Sequence, residues 1–132
     1  MKQKFTFQGY WASIGYLMLF TVIVLSLVKI QQPFDIAGAD KFEHILAYGA
    51  LMYWWGMLQP SKQRFWMLLL PLMGLTLEWM QTFTPYRFME WKDVIANLSG
   101  VALAALLLKT PARKLLLLVD RKLADRLNSH RS

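Results

Sequence analysis

The chain has 132 residues, 56% of them apolar, 14% aromatic and 17% charged, with a formal net charge of +7 and no cysteine. That length holds one domain, and that composition lies on the membrane side of the range for soluble proteins. The absence of cysteine excludes disulfides, a thiolate nucleophile and a lipoprotein anchor.

The first apolar run, YWASIGYLMLFTVIVLSLV over 10–28, carries no charge and is long enough to cross a hydrocarbon core about 30 Å thick. It exceeds the usual apolar stretch of a signal peptide, and no small-x-small cleavage site precedes Lys29, so it reads as an uncleaved anchor. Three further blocks follow at 42–58, 65–83 and 93–108, separated by short charged or proline-containing links. In lipid only helices or closed barrels satisfy the backbone, and the alternation of barrel strands is absent. The sequence therefore predicts a single all-α domain over 1–132, polytopic, with four transmembrane helices plus a C-terminal amphipathic helix.

That last element lies in the tail, 109–132, where Leu115, Leu116, Val119, Leu123 and Leu127 recur at helical spacing among Arg113, Lys114, Arg121, Lys122 and Arg126. It reads as a basic helix lying on the inner membrane face. The positive charge elsewhere sits at Lys2 and Lys4, and again at Lys62 and Arg64, whereas the 1–2 and 3–4 links are balanced. Basic residues thus mark alternate sides, as expected for a protein with both termini cytoplasmic. The net charge reports topology, and no nucleic-acid partner is implied.

Measured at about 1.5 Å per residue from the inner ends, His44 stands about 22 Å up helix 2, Glu78 about 21 Å up helix 3 and Asp93 about 24 Å up helix 4. Three helices therefore bring polar groups to one layer beneath the outer boundary. On each helix these groups share a face: Asp40 or Lys41 with His44 and Tyr48; Gly74 with Glu78 and Gln81; Asp93 with Asn97 and Gly100. Arg87, in the link after Pro85, returns over the outer end. The expected result is one outward-opening polar cleft.

The stretches ADKFEHILAYGAL (39–51) and EWMQTFTPYRFMEWKDVIANLSG (78–100) resemble the motifs of the VanZ-like family of small membrane proteins. By that resemblance Asp40, Lys41, His44, Tyr48, Glu78, Gln81, Arg87, Asp93, Asn97 and Gly100 occupy motif positions. It spans about 39–104, with Ala104 standing where a second glycine is expected. The family takes its name from a protein linked to low-level teicoplanin resistance. Resemblance implies a bacterial inner-membrane protein with an outer-face polar site and a connection with the cell envelope. It does not imply resistance in this chain.

Charged residues at a helix centre cost about 2.5–3.5 kcal/mol on insertion scales, while interhelical hydrogen bonds return only about 0.6 kcal/mol on average. A polar staple is thus a poor reason to keep Glu78, and a working site is the better one. His44 and Glu78 are the catalytic candidates, with His44 as general base and the carboxylate fixing its tautomer. Lys41, Arg87, Gln81 and Tyr48 are candidates for holding substrate, Arg87 suiting a phosphate or carboxylate. Asp40, Asp93, Asn97 and Gly100 shape the site, Asp93 also serving as a helix N-cap.

No His pair or Cys set lies at ligand spacing, so no metal and no cofactor are expected. Ala96, Ser99, Gly100 and Ala104 form a small-residue packing face, and the Trp and Tyr residues read as interfacial belts. The partners implied are membrane lipids and a lipid-linked envelope precursor. Whether the site catalyses, binds without chemistry, or belongs to a small proton-coupled transporter is left open by the sequence, as is the oligomeric state.

Overall fold

The computed structural model describes residues 4–28, 39–83 and 89–131, with 39 and 40 described by backbone alone. The side chains of Asp40 and Arg87 lie outside the described residues. Among the described residues there are five α-helices and no strand: α1 (Gln8–Leu27), α2 (Ala39–Leu58), α3 (Gln63–Gln81), α4 (Trp91–Leu107) and α5 (Leu115–Arg131). Short 3-10 turns, Pro60–Lys62 and Pro111–Lys114, precede α3 and α5. Each of α1 to α4 begins two or three residues before its apolar block, because the flanking polar residues are helical too.

By length and composition α1 can cross a membrane alone, and α4 with the following Pro111–Arg131 segment qualifies only as a pair bent by 86°. α2 and α3 do not meet the same test. Asp40, Lys41, Glu43 and His44 open α2, and Arg64 and Glu78 interrupt α3. In α1 the hydroxyls of Ser13, Thr21 and Ser26 donate to the carbonyls of Gly9, Leu17 and Val22 four residues back, at 2.7–2.8 Å. An apolar helix can carry such groups because they are satisfied within it.

α2 lies at the centre, in contact with α1, α3, α4 and α5. Its closest partner is α4, and the reason is a pair of glycines. A methyl group on Gly100 would collide with the Ile45 carbonyl oxygen and stand 3.0 Å from the Gly49 nitrogen. The two backbones therefore touch directly, as the predicted small-residue face requires. Ala96, Gly100 and Ala104 are buried there, while Ser99 donates to Ile95 O of its own helix at 2.8 Å. On the α1 side, Gly15 leaves room for the indole of Trp55, which stacks on Trp66 at 4.5 Å between ring centroids.

The core gathers Leu51, Met52, Trp55, Leu70, Leu108, Leu116 and Leu117. Outward, α1, α3 and α4 display Leu17, Phe20, Leu68, Leu72, Leu103 and Leu106, each exposed by 59–76%. Glu78, Gln81, Asp93 and Asn97 are buried instead. Such a display of large apolar side chains, beside four buried polar ones, is unlike the surface of a typical water-soluble protein.

The tail departs from its expected stripe in its first turns. Leu116 is buried in the core with Leu117 and Asp120, while Leu115, Val119, Leu123 and Leu127 remain exposed. Asp120 is fully buried. Its carboxylate accepts the Thr6 and Phe7 backbone N–H groups at 2.7 and 2.9 Å and the Trp11 indole N–H at 2.8 Å. Burial alone would raise its pKa, but these donors outweigh it and hold the carboxyl below the usual aspartate range. A residue of α5 thus satisfies the N–H groups that open α1. Trp54 donates to the Trp11 carbonyl at 2.9 Å and Tyr53 to the Ala112 carbonyl at 2.7 Å. Three aromatics expected to form an interfacial belt therefore also bind α1, α2 and the tail together.

Candidate functional site

The predicted layer forms at the ends of α2, α3 and α4. His44, Glu78 and Asp93, one from each helix, bring ligand-type atoms within 4.8 Å of one another. Each reaches this point by the local geometry of its helix. His44 is one turn above Tyr48, whose buried ring packs on Gly74 of α3. A side chain at Gly74 would displace the Asn97 amide nitrogen, 2.7 Å from where its Cβ would stand, as well as Tyr48. The glycine lets three helices close around the polar groups.

The hydrogen bonds settle which groups act on which. His44 Nδ1 lies 2.7 Å from Asn97 Oδ1. An amide oxygen only accepts, so Nδ1 carries the proton and Nε2 of the neutral ring keeps its lone pair. That Nε2 faces Asp93 Oδ2 at 3.8 Å. The tautomer is thus set by Asn97, and not by Glu78 as the sequence suggested. Asp93 also differs from its expected role. Glu90 is the N-cap of α4 and Asp93 sits inside the first turn. Its carboxylate still suits the positive end of the helix, but Oδ1 accepts from the Lys41 ammonium at 2.5 Å instead of capping a backbone N–H.

Lys41 also pairs with Glu90 at 2.5 Å. Glu78, 1% exposed, receives the Glu90 backbone N–H at 3.5 Å, a long bond for a buried carboxylate. Among the described residues the cluster therefore holds three carboxylates against one ammonium. Gln81 is buried as expected, and its amide donates to the Ser26 carbonyl of α1 at 2.6 Å, fastening α3 to the end of the first helix.

Below the polar groups the seam of α2 and α4 opens into an apolar groove of about 360 Å³, lined by Ile45, Leu46, Gly49, Ala50, Tyr53, Gly100, Leu103, Ala104 and Leu107. Its lining runs along α2 from Ile45, next to His44 in sequence, to Tyr53, and along α4 from Gly100 to Leu107.

Tyr48, His44, Glu78, Asp93, Asn97 and Lys41 are thus assembled as one site, with Gly100 setting the helix approach beneath it. The side chain of Asp40, and Arg87 as a whole, lie outside what is described. Glu90, a charge of the 3–4 link that the sequence did not single out, binds Lys41 and offers its N–H to Glu78. Its signal was its place three residues before Asp93. Asp120 was also missed, and its signal was the four-residue step from Leu116, which put an acid on a buried face.

The family described as VanZ/LLP1 matches residues 3–117. No curated protein and no solved structure matches the chain. A match over that length shows membership: the chain belongs to the VanZ/LLP1 family. Membership and the apolar α1 together support a membrane protein of the VanZ-like kind.

Proposed function

We propose that this VanZ-family chain is a multi-pass inner-membrane protein that holds an anionic envelope lipid or lipid-linked precursor at its polar site. The observation that carries the reading is an apolar groove on α2 and α4, the two helices that also carry His44, Lys41 and Asp93. A head group at His44 and Lys41 would have its hydrocarbon chain running down the groove, a layout that suits an amphiphile. α1 to α4 would be the spans, with both termini cytoplasmic. The outward leucines of α1, α3 and α4 support this, as does the interior burial of Glu78, Gln81, Asp93 and Asn97. α5 would lie on the inner face, with Leu115, Val119, Leu123 and Leu127 toward the lipid. Arg87, placed by sequence over the outer end, would meet the phosphate.

His44 gives the site one means of chemistry. With Nδ1 donating to Asn97, its Nε2 can take a proton from a bound hydroxyl or water. The test is native mass spectrometry of protein extracted in mild detergent, with Ala50→Phe filling the groove and Arg87→Gln removing the head-group contact. Wild type should retain an anionic amphiphile, and both variants should lose it. Equal retention by both variants would refute the proposal. Loss of turnover without loss of retention in His44→Ala would favour an enzyme over a binding module.

A further inference from the structure

We propose that His44 Nε2, Glu78 and Asp93 form a binding site for one divalent transition-type cation, such as Zn²⁺ or Mn²⁺. This goes beyond the lipid reading and does not depend on it; with the ion bound, the Nε2 lone pair is a ligand, and the proton-accepting role given to it above belongs to the metal-free site. Three observations converge. One ligand-type atom from each of the three residues, on three helices, already lies within 4.8 Å of the others, and Nε2 itself stands 3.8 Å from Asp93 Oδ2. Ion–ligand distances of about 2.0–2.2 Å place neighbouring ligands about 3–4 Å apart, so a small inward movement closes the set.

The second observation is that the facing atoms are acceptors. Asn97 holds the proton on Nδ1, which leaves the Nε2 lone pair pointing at Asp93 Oδ2, 3.8 Å away. With the ring in this tautomer two acceptors face each other, and a cation between them satisfies both. The third is Glu78, 1% exposed, whose hydrogen-bond donor among the described residues is the Glu90 N–H at 3.5 Å. A carboxylate so buried and so weakly served calls for a positive partner. The Lys41 ammonium is turned to Glu90 and to Asp93 Oδ1.

The donor set selects the class of ion. One imidazole with two carboxylates suits borderline divalent ions, whereas Ca²⁺ and Mg²⁺ favour all-oxygen sets and Cu⁺ favours sulfur. Asn97 on His44 and Lys41 on Asp93 are the kind of outer partners that orient metal ligands. Three protein ligands leave further coordination positions for water or a substrate oxygen. Sequence spacing concealed this arrangement because no two of the ligands share a helix.

The experiment uses the full chain in mild detergent, stripped with chelator and titrated with Zn²⁺ or Mn²⁺ alone. Calorimetry should show one equivalent bound, and Glu78→Gln and His44→Ala should each weaken affinity about tenfold or more. His130→Ala, changed in the distant tail, should bind as wild type does. Binding unaffected by the first two changes, or no binding at millimolar metal by folded wild type, overturns the proposal. Electron spin-echo spectra of bound Mn²⁺ in wild type provide a reading that needs no variant to fold. Nitrogen coupling from the imidazole supports the site, and its absence overturns it.

Discussion

Replacing Gly100 by alanine sets two effects of known size against each other. Alanine favours a helix over glycine by about 1 kcal/mol, so on propensity alone the change should stabilise α4. The added methyl, however, would collide with the Ile45 carbonyl oxygen and stand 3.0 Å from the Gly49 nitrogen and 3.1 Å from the Ile45 carbonyl carbon. These are backbone atoms of a packed helix and cannot swing aside as a side chain can. Overpacking typically costs about 1–3 kcal/mol, and backbone collisions belong at or above the upper end of that range.

The net expectation is a loss of about 2 kcal/mol. Two other glycines calibrate it. Gly49→Ala would bring its methyl 3.3 Å from the Gly100 carbonyl oxygen, a tight but yielding contact, so cost and gain should nearly cancel. Gly9→Ala meets nothing within 4 Å and should stabilise by up to about 1 kcal/mol. Thermal unfolding in mild detergent, followed by circular dichroism, should rank the midpoints Gly9→Ala, Gly49→Ala, Gly100→Ala from highest to lowest. A Gly100→Ala midpoint at or above wild type would refute the direct α2–α4 contact.

Asp120→Ala leaves the Thr6, Phe7 and Trp11 donors without their acceptor and should cost about 2–3 kcal/mol, because water can reach part of this end. The folded carboxyl titrates below its unfolded value, so its contribution is full above the ordinary aspartate range and is lost as pH falls through the lower folded value. Acid titration of stability should therefore be shallower in Asp120→Asn than in wild type, and an identical acid limb would contradict the assignment. Lys41→Met strands Asp93 beside Glu90, both at the partly wetted mouth, and should cost about 1–2 kcal/mol, with Asp93→Asn in the same chain restoring part of it. No recovery in the double variant would count against the pair. Glu78→Gln in chelator-stripped protein should leave the midpoint unchanged or raise it, since it removes a buried charge served by one long bond. A sharp fall would mean that the carboxylate holds the helices together.

The order and number of the helices were written in the chain itself. Long apolar blocks favour helices, and the three- and four-residue steps from Lys41 to Tyr48, Gly74 to Gln81 and Asp93 to Gly100 put each polar set on one face, because helical periodicity is a local property. Rise per residue is local too, which is why the common height of His44, Glu78 and Asp93 was legible before any packing was known. Pairing was not. Whether His44 meets Glu78 or Asn97, whether Asp93 caps its helix or takes Lys41, and whether Asp120 faces water or the start of α1 depend on how helices rotate about their axes and where they cross. Those choices are made by Gly100 against Ile45, Gly74 against Asn97 and Gly15 against Trp55, contacts between residues far apart in the chain. Sequence spacing carries each face, and tertiary packing decides which faces meet.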